Sequence, residues 1–226
     1  MAYSVKLAQA KIMNNKKISP IYRFFKRVFD FLGALLAFVI LLPLMILIGL
    51  GVLIASRGPV LYRDCRMGKG GKPIKILKFR TMYADANDHP EKYFNATQMQ
   101  QWSKERKVDN DPRIVPFGNF LRKTSFDELP QLVNIIAGSM AIVGPRAITE
   151  DELKTYYKPE EQSIILSVRP GLTGYWQVHG RNKVTYESGE RAKMEMKYFE
   201  KMGLFHDFVI ILKTIPALFR KDEAMW

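Results

Sequence analysis

Two adjacent carboxylates in a basic setting are the residues of this sequence best suited to chemistry. Asp127 and Glu128 follow Arg122 and Lys123 and precede an apolar run at helical spacing. Ser125 stands three residues before Glu128, which is the spacing of a capping box, so we expect both acids in the first turn of an α-helix. There the helix dipole and the free backbone N–H groups favour negative charge.

Neighbouring carboxylates on a helix point in different directions, so we expect them to have different tasks. A carboxylate can act as a nucleophile and form an acyl-phosphate, and a hard oxygen ligand suits Mg²⁺ on a phosphate substrate. One acid of the pair Asp127 and Glu128 is therefore a candidate nucleophile, and the other is a candidate metal ligand. The alternative is that both acids only cap the helix and complement its dipole.

The composition favours anionic partners and a reducing compartment. The chain has 226 residues and a formal net charge of +13, which points to nucleic acid, anionic lipid or phosphorylated substrates. Cys65 is the single cysteine of the sequence, which excludes an intrachain disulfide. The length suits one domain with appendages.

An uncharged stretch from residue 31 to residue 55 shifts the choice of partner toward lipid, because it is long enough to cross a bilayer as a helix. Lys26 precedes it and Arg57 follows it, and positive flanks mark the cytoplasmic side of a membrane segment. Pro43 lies near the middle, where a proline kinks a helix. The pattern favours a re-entrant helix, break and helix on the cytoplasmic face, with a kinked full span as the alternative.

The chain divides into a basic N-terminal segment (1–20), a membrane segment (21–57) and a cytosolic or interfacial catalytic region (58–226). The expected fold class is α+β and monotopic, with a small β-hairpin and several amphipathic helices. Residues 204–220 are apolar and suit a helix in the membrane interface, or else a core helix. Within the catalytic region we also expect a hairpin at 59–82 and a strand at 140–143, together with helices near 96–106, 113–122, 149–166 and 187–203.

Several basic side chains are candidate phosphate ligands. Arg146 follows a tight Gly-Pro turn, and arginine binds phosphate oxygens through two parallel hydrogen bonds. Lys78 and Arg80 share one face of the second hairpin strand, where the alternative is a solvated edge. Residues 168–182 interleave glycines and aromatics, which suits close backbone approach and stacking on a base or sugar; the alternative places Trp176 in the core.

Several short motifs occur in the order typical of the bacterial sugar transferases, the monotopic phosphoglycosyl transferases. They are Leu77-Lys78-Phe79-Arg80-Thr81-Met82, Asp127-Glu128-Leu129-Pro130-Gln131, Val143-Gly144-Pro145-Arg146, Arg169-Pro170-Gly171-Leu172-Thr173-Gly174 and Gly180-Arg181-Asn182. The resemblance covers roughly residue 20 to the C-terminus. The chain resembles the minimal catalytic form of this family, without the extra N-terminal membrane domain of larger members.

The resemblance implies a reaction and its location. Such enzymes transfer a sugar 1-phosphate from a UDP-sugar to undecaprenyl phosphate at the cytoplasmic face of the bacterial inner membrane. The transfer begins the assembly of a capsule, O-antigen, exopolysaccharide or glycoprotein glycan. Asp127 would attack the β-phosphate and form a covalent phosphosugar intermediate with release of UMP, and the acid pair would hold Mg²⁺, mainly through Glu128.

The resemblance also assigns roles to other residues. The phosphate contacts that it implies are Lys78, Arg122, Arg146 and Arg181, and the break in the re-entrant helix that it implies is Pro43. Elementary electrostatics agrees, because anionic phosphates approach an anionic nucleophile only where cations screen the repulsion. The family often has Pro-Arg-Pro where this chain has Pro145-Arg146-Ala147, so we expect less rigidity behind Arg146.

A second class of function stays open at this stage. A non-catalytic scaffold at the membrane surface would use the basic residues to bind anionic lipid and the acids to cap a helix. Nucleic-acid binding explains the charge but not the membrane segment, so nucleic acid is not expected as a partner. The sequence does not name the sugar, and it leaves the oligomeric state open, with a homodimer as one option.

Overall fold

The computed structural model describes residues 19–86, 88–105, 108, 110–180 and 189–218. Arg181 and almost all of the predicted basic segment 1–20 lie outside the described residues. The described helices and strands confirm a mixed α and β fold with one long apolar N-terminal helix. They are α1 (Pro20–Ser56), β1 (Leu61–Met67), β2 (Pro73–Phe79), α2 (Ala96–Glu105), α3 (Pro116–Thr124), α4 (Gln131–Ala137), β3 (Ala141–Val143), α5 (Glu150–Tyr156), α6 (Pro159–Ile165), β4 (Gly171–Thr173), α7 (Tyr175–His179), α8 (Glu190–Glu200) and α9 (Leu204–Leu218).

The long helix α1 contains the predicted membrane segment. It has 37 residues and is long and apolar enough to cross a membrane. The sequence predicted a break at Pro43, but Pro43 lies inside one helix. A proline removes one backbone donor while its ring keeps φ near the helical value, so helical geometry continues on both sides. Whether α1 is re-entrant or spans the membrane stays a prediction.

The described residues fall into two compact units. The first unit contains residues 19–39, 64–76 and the described residues of 131–218, and the second contains residues 40–63 and the described residues of 77–130. The helix α1 supplies residues to both units. Each unit has its own apolar cluster, which is described separately below.

In the first unit, the core gathers around the small parallel sheet of β3 and β4. Ala141 pairs with Gly171, and Val143 pairs with Thr173. A Cβ atom added to Gly171 would collide with the backbone nitrogen of Gly144, so only glycine permits this close approach. The buried side chains of this core are Val143, Ile148, Leu153, Tyr157, Ile164, Ile165, Val178, Ala192, Met196, Tyr198, Phe199 and Ile210.

A buried group of polar side chains ties the start of α1 to α9 within the first unit. Lys26 Nζ lies 2.8 Å from Asp30 Oδ1 and 3.1 Å from Asp207 Oδ2. The hydroxyl of Tyr198 donates to Asp207 Oδ1 at 3.1 Å, and Asp30 Oδ1 accepts the backbone N–H of Ile142 at 3.0 Å. We call Lys26, Asp30, Tyr198 and Asp207 the polar anchor cluster.

The arginine next to Lys26 fastens α1 to a second helix of the first unit. Arg27 Nη1 donates to the carbonyl of Ile135, and Arg27 Nη2 donates to the carbonyl of Ile136, both at 2.7 Å. These carbonyls belong to the last turn of α4, where intrahelical donors run out and a cation is favoured. The N-terminal part of α1 is therefore bound to the folded part of the chain by charged side chains.

In the second unit, the other half of α1 packs against the segments around Asp127 and Glu128. The buried core consists of Ile48 and Val52 from α1, Phe79 from β2 and Leu121 from α3. Phe126 and Leu129, which flank the two acids, pack against this core. The apolar residues that surround the acids therefore fix their turn to the helix α1.

Several predicted elements are confirmed with shifted bounds. The hairpin forms from β1 and β2 around a 3₁₀ turn at Lys69–Gly71, as the Gly-rich sequence indicates. The single helix expected over 149–166 is wrong, because α5 ends at Tyr156 and α6 begins at Pro159. Proline disfavours the helical conformation in the residue before it, and Lys158 is extended.

The apolar helix α9 has one buried face and one exposed apolar face. Asp207 and Ile210 are buried, and Ile210 belongs to the core of the first unit. Phe205, Phe208, Leu212 and Ile215 are exposed, and their spacing of three and four residues puts them on one face. The exposed apolar face suits a membrane interface, which stays a prediction for this helix.

Candidate active site

The two acids lie in a tight turn between two helices. Helix α3 ends at Thr124, and Ser125 then adopts a left-handed backbone with φ 59°. Its N–H donates to the carbonyl of Arg122 at 3.2 Å, and a 3₁₀ turn at Phe126–Glu128 follows. The expectation that the acids occupy the first turn of an α-helix is therefore wrong, because α4 begins only at Gln131.

Two local features explain this geometry. Pro130 directly precedes α4, and a proline is favoured at a helix start because it has no N–H to leave unsatisfied. A left-handed backbone at Ser125 reverses the chain after α3, although a serine there costs about 1 kcal/mol or more in conformational strain. The fold holds a strained residue two positions before Asp127, which is typical of functional turns.

The carboxyl of Asp127 has a raised pKa. Its burial raises its pKa to about 6, and the charge of Glu128 adds to this effect. Lys78 and Arg122 act in the opposite direction. An aspartate in this setting is poorly hydrated and is still largely ionised at neutral pH, and both properties suit a nucleophile.

Lys78 and Glu128 form an ion pair beside the nucleophile candidate. Lys78 Nζ lies 3.6 Å from Glu128 Oε1. Lys78 extends from β2, and Glu128 closes the 3₁₀ turn. The structure thus brings together three predicted site residues from separate segments of the second unit.

Arg122 is held in place by Thr81, which was not among the predicted site residues. Arg122 Nε donates to Thr81 Oγ1 at 2.9 Å. Burial lowers the pKa of Arg122, while Asp127 and Asp111 raise it, and an arginine stays protonated in either case. The sequence signal for Thr81 was its place in the motif that contains Lys78.

A close contact between α3 and the chain at Thr81 supports this arrangement. Val115 N–H donates to the carbonyl of Thr81 at 3.0 Å. Gly118 is buried in α3, and a Cβ atom added to it would lie 2.8 Å from the carbonyl carbon of Thr81. Only a residue without a side chain allows α3 to approach the backbone at Thr81 this closely.

We expect Gly118→Ala to destabilise the protein by about 1–3 kcal/mol, because the added methyl group pushes the backbone at Thr81 away from α3. Chemical denaturation in detergent would measure the loss. Gly203→Ala is a matched control, since a Cβ atom there would lie 3.9 Å from its nearest neighbour. Equal stability of the two variants would contradict the close packing at Gly118.

Arg80 has a different setting from the one expected of a phosphate ligand. Its Nε donates to the carbonyl of Pro59 at 2.9 Å, and its Nη1 donates to the carbonyl of Ala84 at 3.4 Å. The guanidinium also lies 6.0 Å from the centre of the Tyr62 ring. The structure gives Arg80 a role in joining backbone segments, and its phosphate contact stays a prediction.

Arg146 belongs to the first unit, and its surroundings are aromatic. Its guanidinium lies 5.5 Å from the centre of the Trp176 ring. Trp176 is only 6% exposed, so the alternative that placed it in the core is confirmed. His179 is stacked on Tyr175 at 4.2 Å and bonds to the carbonyl of that residue, which fits a structural histidine.

The acid pair fits a magnesium ion. No group of three or more His, Cys, Asp or Glu side chains suited to a metal occurs within the described residues. A Mg²⁺ site does not need three such side chains, because Mg²⁺ commonly binds one or two carboxylates and takes its other ligands from water and substrate phosphates. The mutual repulsion of Asp127 and Glu128, which helps to raise the pKa of Asp127, also favours a cation between them.

The fold and the site together have the features of a membrane-associated enzyme that handles phosphate esters. A long apolar helix packs against the residues that flank a half-buried carboxylate pair, and a lysine and an arginine act electrostatically on that pair. The family model described as bacterial sugar transferase matches residues 21–221. The chain therefore belongs to the bacterial sugar transferase family, as the motifs predicted.

Curated relatives carry more specific names. The chain is 43% identical over 203 residues to the exopolysaccharide production protein ExoY of Rhizobium meliloti, which covers 89% of this chain and 88% of that protein. It is 37% identical to the undecaprenyl-phosphate galactose phosphotransferase of Salmonella typhimurium, over 98% of this chain and 46% of that protein. It is 36% identical to the UDP-glucose:undecaprenyl-phosphate glucose-1-phosphate transferase of Escherichia coli, over 90% of this chain and 44% of that protein.

Proposed function

We propose that this protein transfers a sugar 1-phosphate from a UDP-sugar to undecaprenyl phosphate, through a covalent intermediate on Asp127. The observation that carries the proposal is the half-buried Asp127 and Glu128 pair with Lys78 and Arg122 beside it. The names of the relatives from Salmonella and Escherichia coli support the substrate class. The product would enter exopolysaccharide or related glycan assembly at the cytoplasmic face of the membrane.

The first half of the reaction transfers the phosphosugar to the protein. A carboxylate oxygen of Asp127 attacks the phosphorus that bears the sugar, and the bond from this phosphorus to the bridging oxygen breaks. UMP leaves with the electron pair of that bond, and an acyl-phosphate joins Asp127 to the sugar. Lys78 and Arg122 screen the repulsion between the anionic carboxylate and the diphosphate.

The second half of the reaction regenerates the enzyme. An oxygen of undecaprenyl phosphate attacks the same phosphorus, the acyl-phosphate bond breaks, and the carboxylate of Asp127 is released. Glu128, with Asp127, would hold Mg²⁺, which supplies positive charge to the diphosphate. A lipid acceptor accounts for the position of the acids next to Phe126 and Leu129, which pack against the apolar helix α1.

The proposal is tested by UMP release from purified protein in detergent, across a panel of UDP-sugars. With Mg²⁺ but no undecaprenyl phosphate, we expect a burst of at most one UMP per protein, because the phosphosugar stays on Asp127. With the lipid phosphate added, we expect continuous turnover for the accepted sugar. Addition of EDTA is expected to stop both the burst and the turnover, because it removes the Mg²⁺ that would neutralise the diphosphate.

The same assay separates the alternative functions. Continuous turnover that needs the lipid phosphate, without any burst in its absence, would contradict the covalent intermediate and leave direct transfer. No UMP from any UDP-sugar, from protein that still binds vesicles of anionic lipid, would contradict the transferase proposal and favour the scaffold.

A further inference from the structure

A buried carboxylate in the first unit is not explained by the proposed reaction steps. Glu195 lies in the middle of α8 and is 1% exposed. A buried carboxyl is costly unless hydrogen bonds or charges compensate it. Burial raises the pKa of Glu195 to about 7, and Arg191 and Arg146 act against this rise. A fold that tolerates this cost is expected to gain something specific from the group.

The contacts of Glu195 lead to Arg146. Glu195 Oε1 accepts the backbone N–H of Arg146 at 3.2 Å. The guanidinium of Arg146 lies against the ring of Trp176, and the guanidinium of Arg191 lies 4.0 Å from the centre of the same ring. Arg191 stands four residues before Glu195, so both project from one side of α8.

The backbone at Arg146 needs such an anchor. The segment before it is Gly144-Pro145, and Ala147 follows, so no proline ring restricts the chain behind the arginine. On the N-terminal side of Arg146, the carbonyl of Pro145 accepts the backbone N–H of Gly171 at 2.8 Å. The bond to Glu195 is a second fixed point, directly at the residue whose side chain must be aimed.

We propose that Glu195 is a positioning residue that fixes the backbone of Arg146 and thereby holds its guanidinium against Trp176 for a substrate phosphate. The inference rests on the proposed function and on the phosphate contact that the family resemblance implies for Arg146. Nε of Arg146 is buried and has no hydrogen-bond partner within the described residues. A buried donor without an acceptor is costly, and a phosphate oxygen of the substrate would satisfy it.

The acceptor role does not depend on the charge of Glu195. A protonated carboxyl keeps a carbonyl oxygen that accepts a hydrogen bond, and so does the side-chain amide of glutamine. We therefore expect Glu195→Gln to keep kcat/KM within about threefold of the unsubstituted protein. Glu195→Met, which has a similar volume but no strong acceptor, is expected to lower kcat/KM about 10- to 100-fold.

The decisive experiment repeats these substitutions in an Arg146→Ala background. If Glu195 acts through the guanidinium of Arg146, then Glu195→Met loses its effect on kcat/KM once that guanidinium is absent. A merely structural glutamate would cost the same factor in both backgrounds, and that result would overturn the inference. If Glu195→Met fails to fold, Glu195→Asp gives the same comparison, because its shorter side chain withdraws the oxygen from Arg146.

A second readout does not require turnover. Amide hydrogen exchange of a peptide that contains Arg146 is expected to be faster in Glu195→Met than in Glu195→Gln, because only the former loses the acceptor. Equal exchange in the two variants would overturn the inference even if the protein released no UMP. Glu160→Gln, an exposed glutamate of the same unit, is the control and is expected to leave both readouts unchanged. A lack of UMP release by the unsubstituted protein would contradict only the proposed function.

Discussion

Replacing Asp127 with asparagine is expected to lower turnover by about 10⁴-fold or more and to remove the burst of UMP, because an amide has no anionic oxygen to attack phosphorus. The substitution keeps the shape of the side chain and removes a charge that sits beside Glu128. Folding should therefore be preserved. Mass spectrometry after incubation with the accepted UDP-sugar should detect a phosphosugar adduct on the unsubstituted protein and none on the variant.

Asp88→Asn is the matched control for this experiment. Asp88 is an exposed aspartate in the same unit, so the same chemical change there should leave the adduct and the turnover intact. A persistent burst in Asp127→Asn would assign the covalent bond to another residue. Turnover that survives in this variant would contradict the role of Asp127 altogether.

Lys26→Met is expected to cost about 3–5 kcal/mol of unfolding free energy, because it leaves the two buried carboxylates of the polar anchor cluster without their cation. Lys26 Nζ contacts both Asp30 and Asp207. Burial already raises the pKa of Asp207, and Lys26 works against this rise. Without the lysine, the folded-state pKa of Asp207 rises further above its value in the unfolded chain.

The sign of the pH dependence follows from this shift. A carboxyl whose pKa is raised in the folded state stabilises the fold at low pH, and this contribution is lost as the pH rises through the folded-state pKa. The deficit of Lys26→Met should therefore be largest at neutral pH and should shrink in acid. Denaturation of Lys26→Met and of the unsubstituted protein in detergent at several pH values would measure this loss of unfolding free energy. A loss that does not depend on pH would contradict the carboxylate explanation.

A surface ion pair supplies the comparison. Lys154 Nζ lies 2.6 Å from Glu150 Oε1, and the two side chains are 68% and 61% exposed. Lys154→Met breaks this shorter pair, yet we expect no measurable change in stability, because solvent screens exposed charges. A loss as large as that of Lys26→Met would mean that distance, and not burial, decides the strength of these pairs.

Local sequence rules predicted the elements well and the site in part. The acid pair, the hairpin around its Gly-rich turn and the apolar helix each follow from residues close together in sequence. Pro159 carries the signal that ends α5, and the single helix predicted over 149–166 overlooked it. The left-handed Ser125 could not be foreseen, because its conformation is imposed by packing on both sides of the turn.

Long-range contacts were the part that the sequence could not supply. Thr81 meets Arg122 across 41 positions, and Glu195 meets Arg146 across 49. No spacing rule connects residues this far apart, because their proximity depends on how the sheets and helices pack. Family resemblance named the arginines, and only the structure identified the threonine and the glutamate that hold them.

The helix α1 has a consequence for how the chain is made. Ile48 and Val52 complete the core of the second unit, while Lys26 and Arg27 bind the first. A ribosome releases α1 before the rest of both units, and the exposed apolar side chains of α1 suit a lipid environment. The second unit cannot complete its apolar core, and the first cannot complete its polar anchor cluster, until α1 is in place. Folding of the turn that carries Asp127 and Glu128 should therefore be coupled to the placement of α1. A fragment without α1 would lack Ile48 and Val52 of the second unit's core and Lys26 of the polar anchor cluster, and it should aggregate.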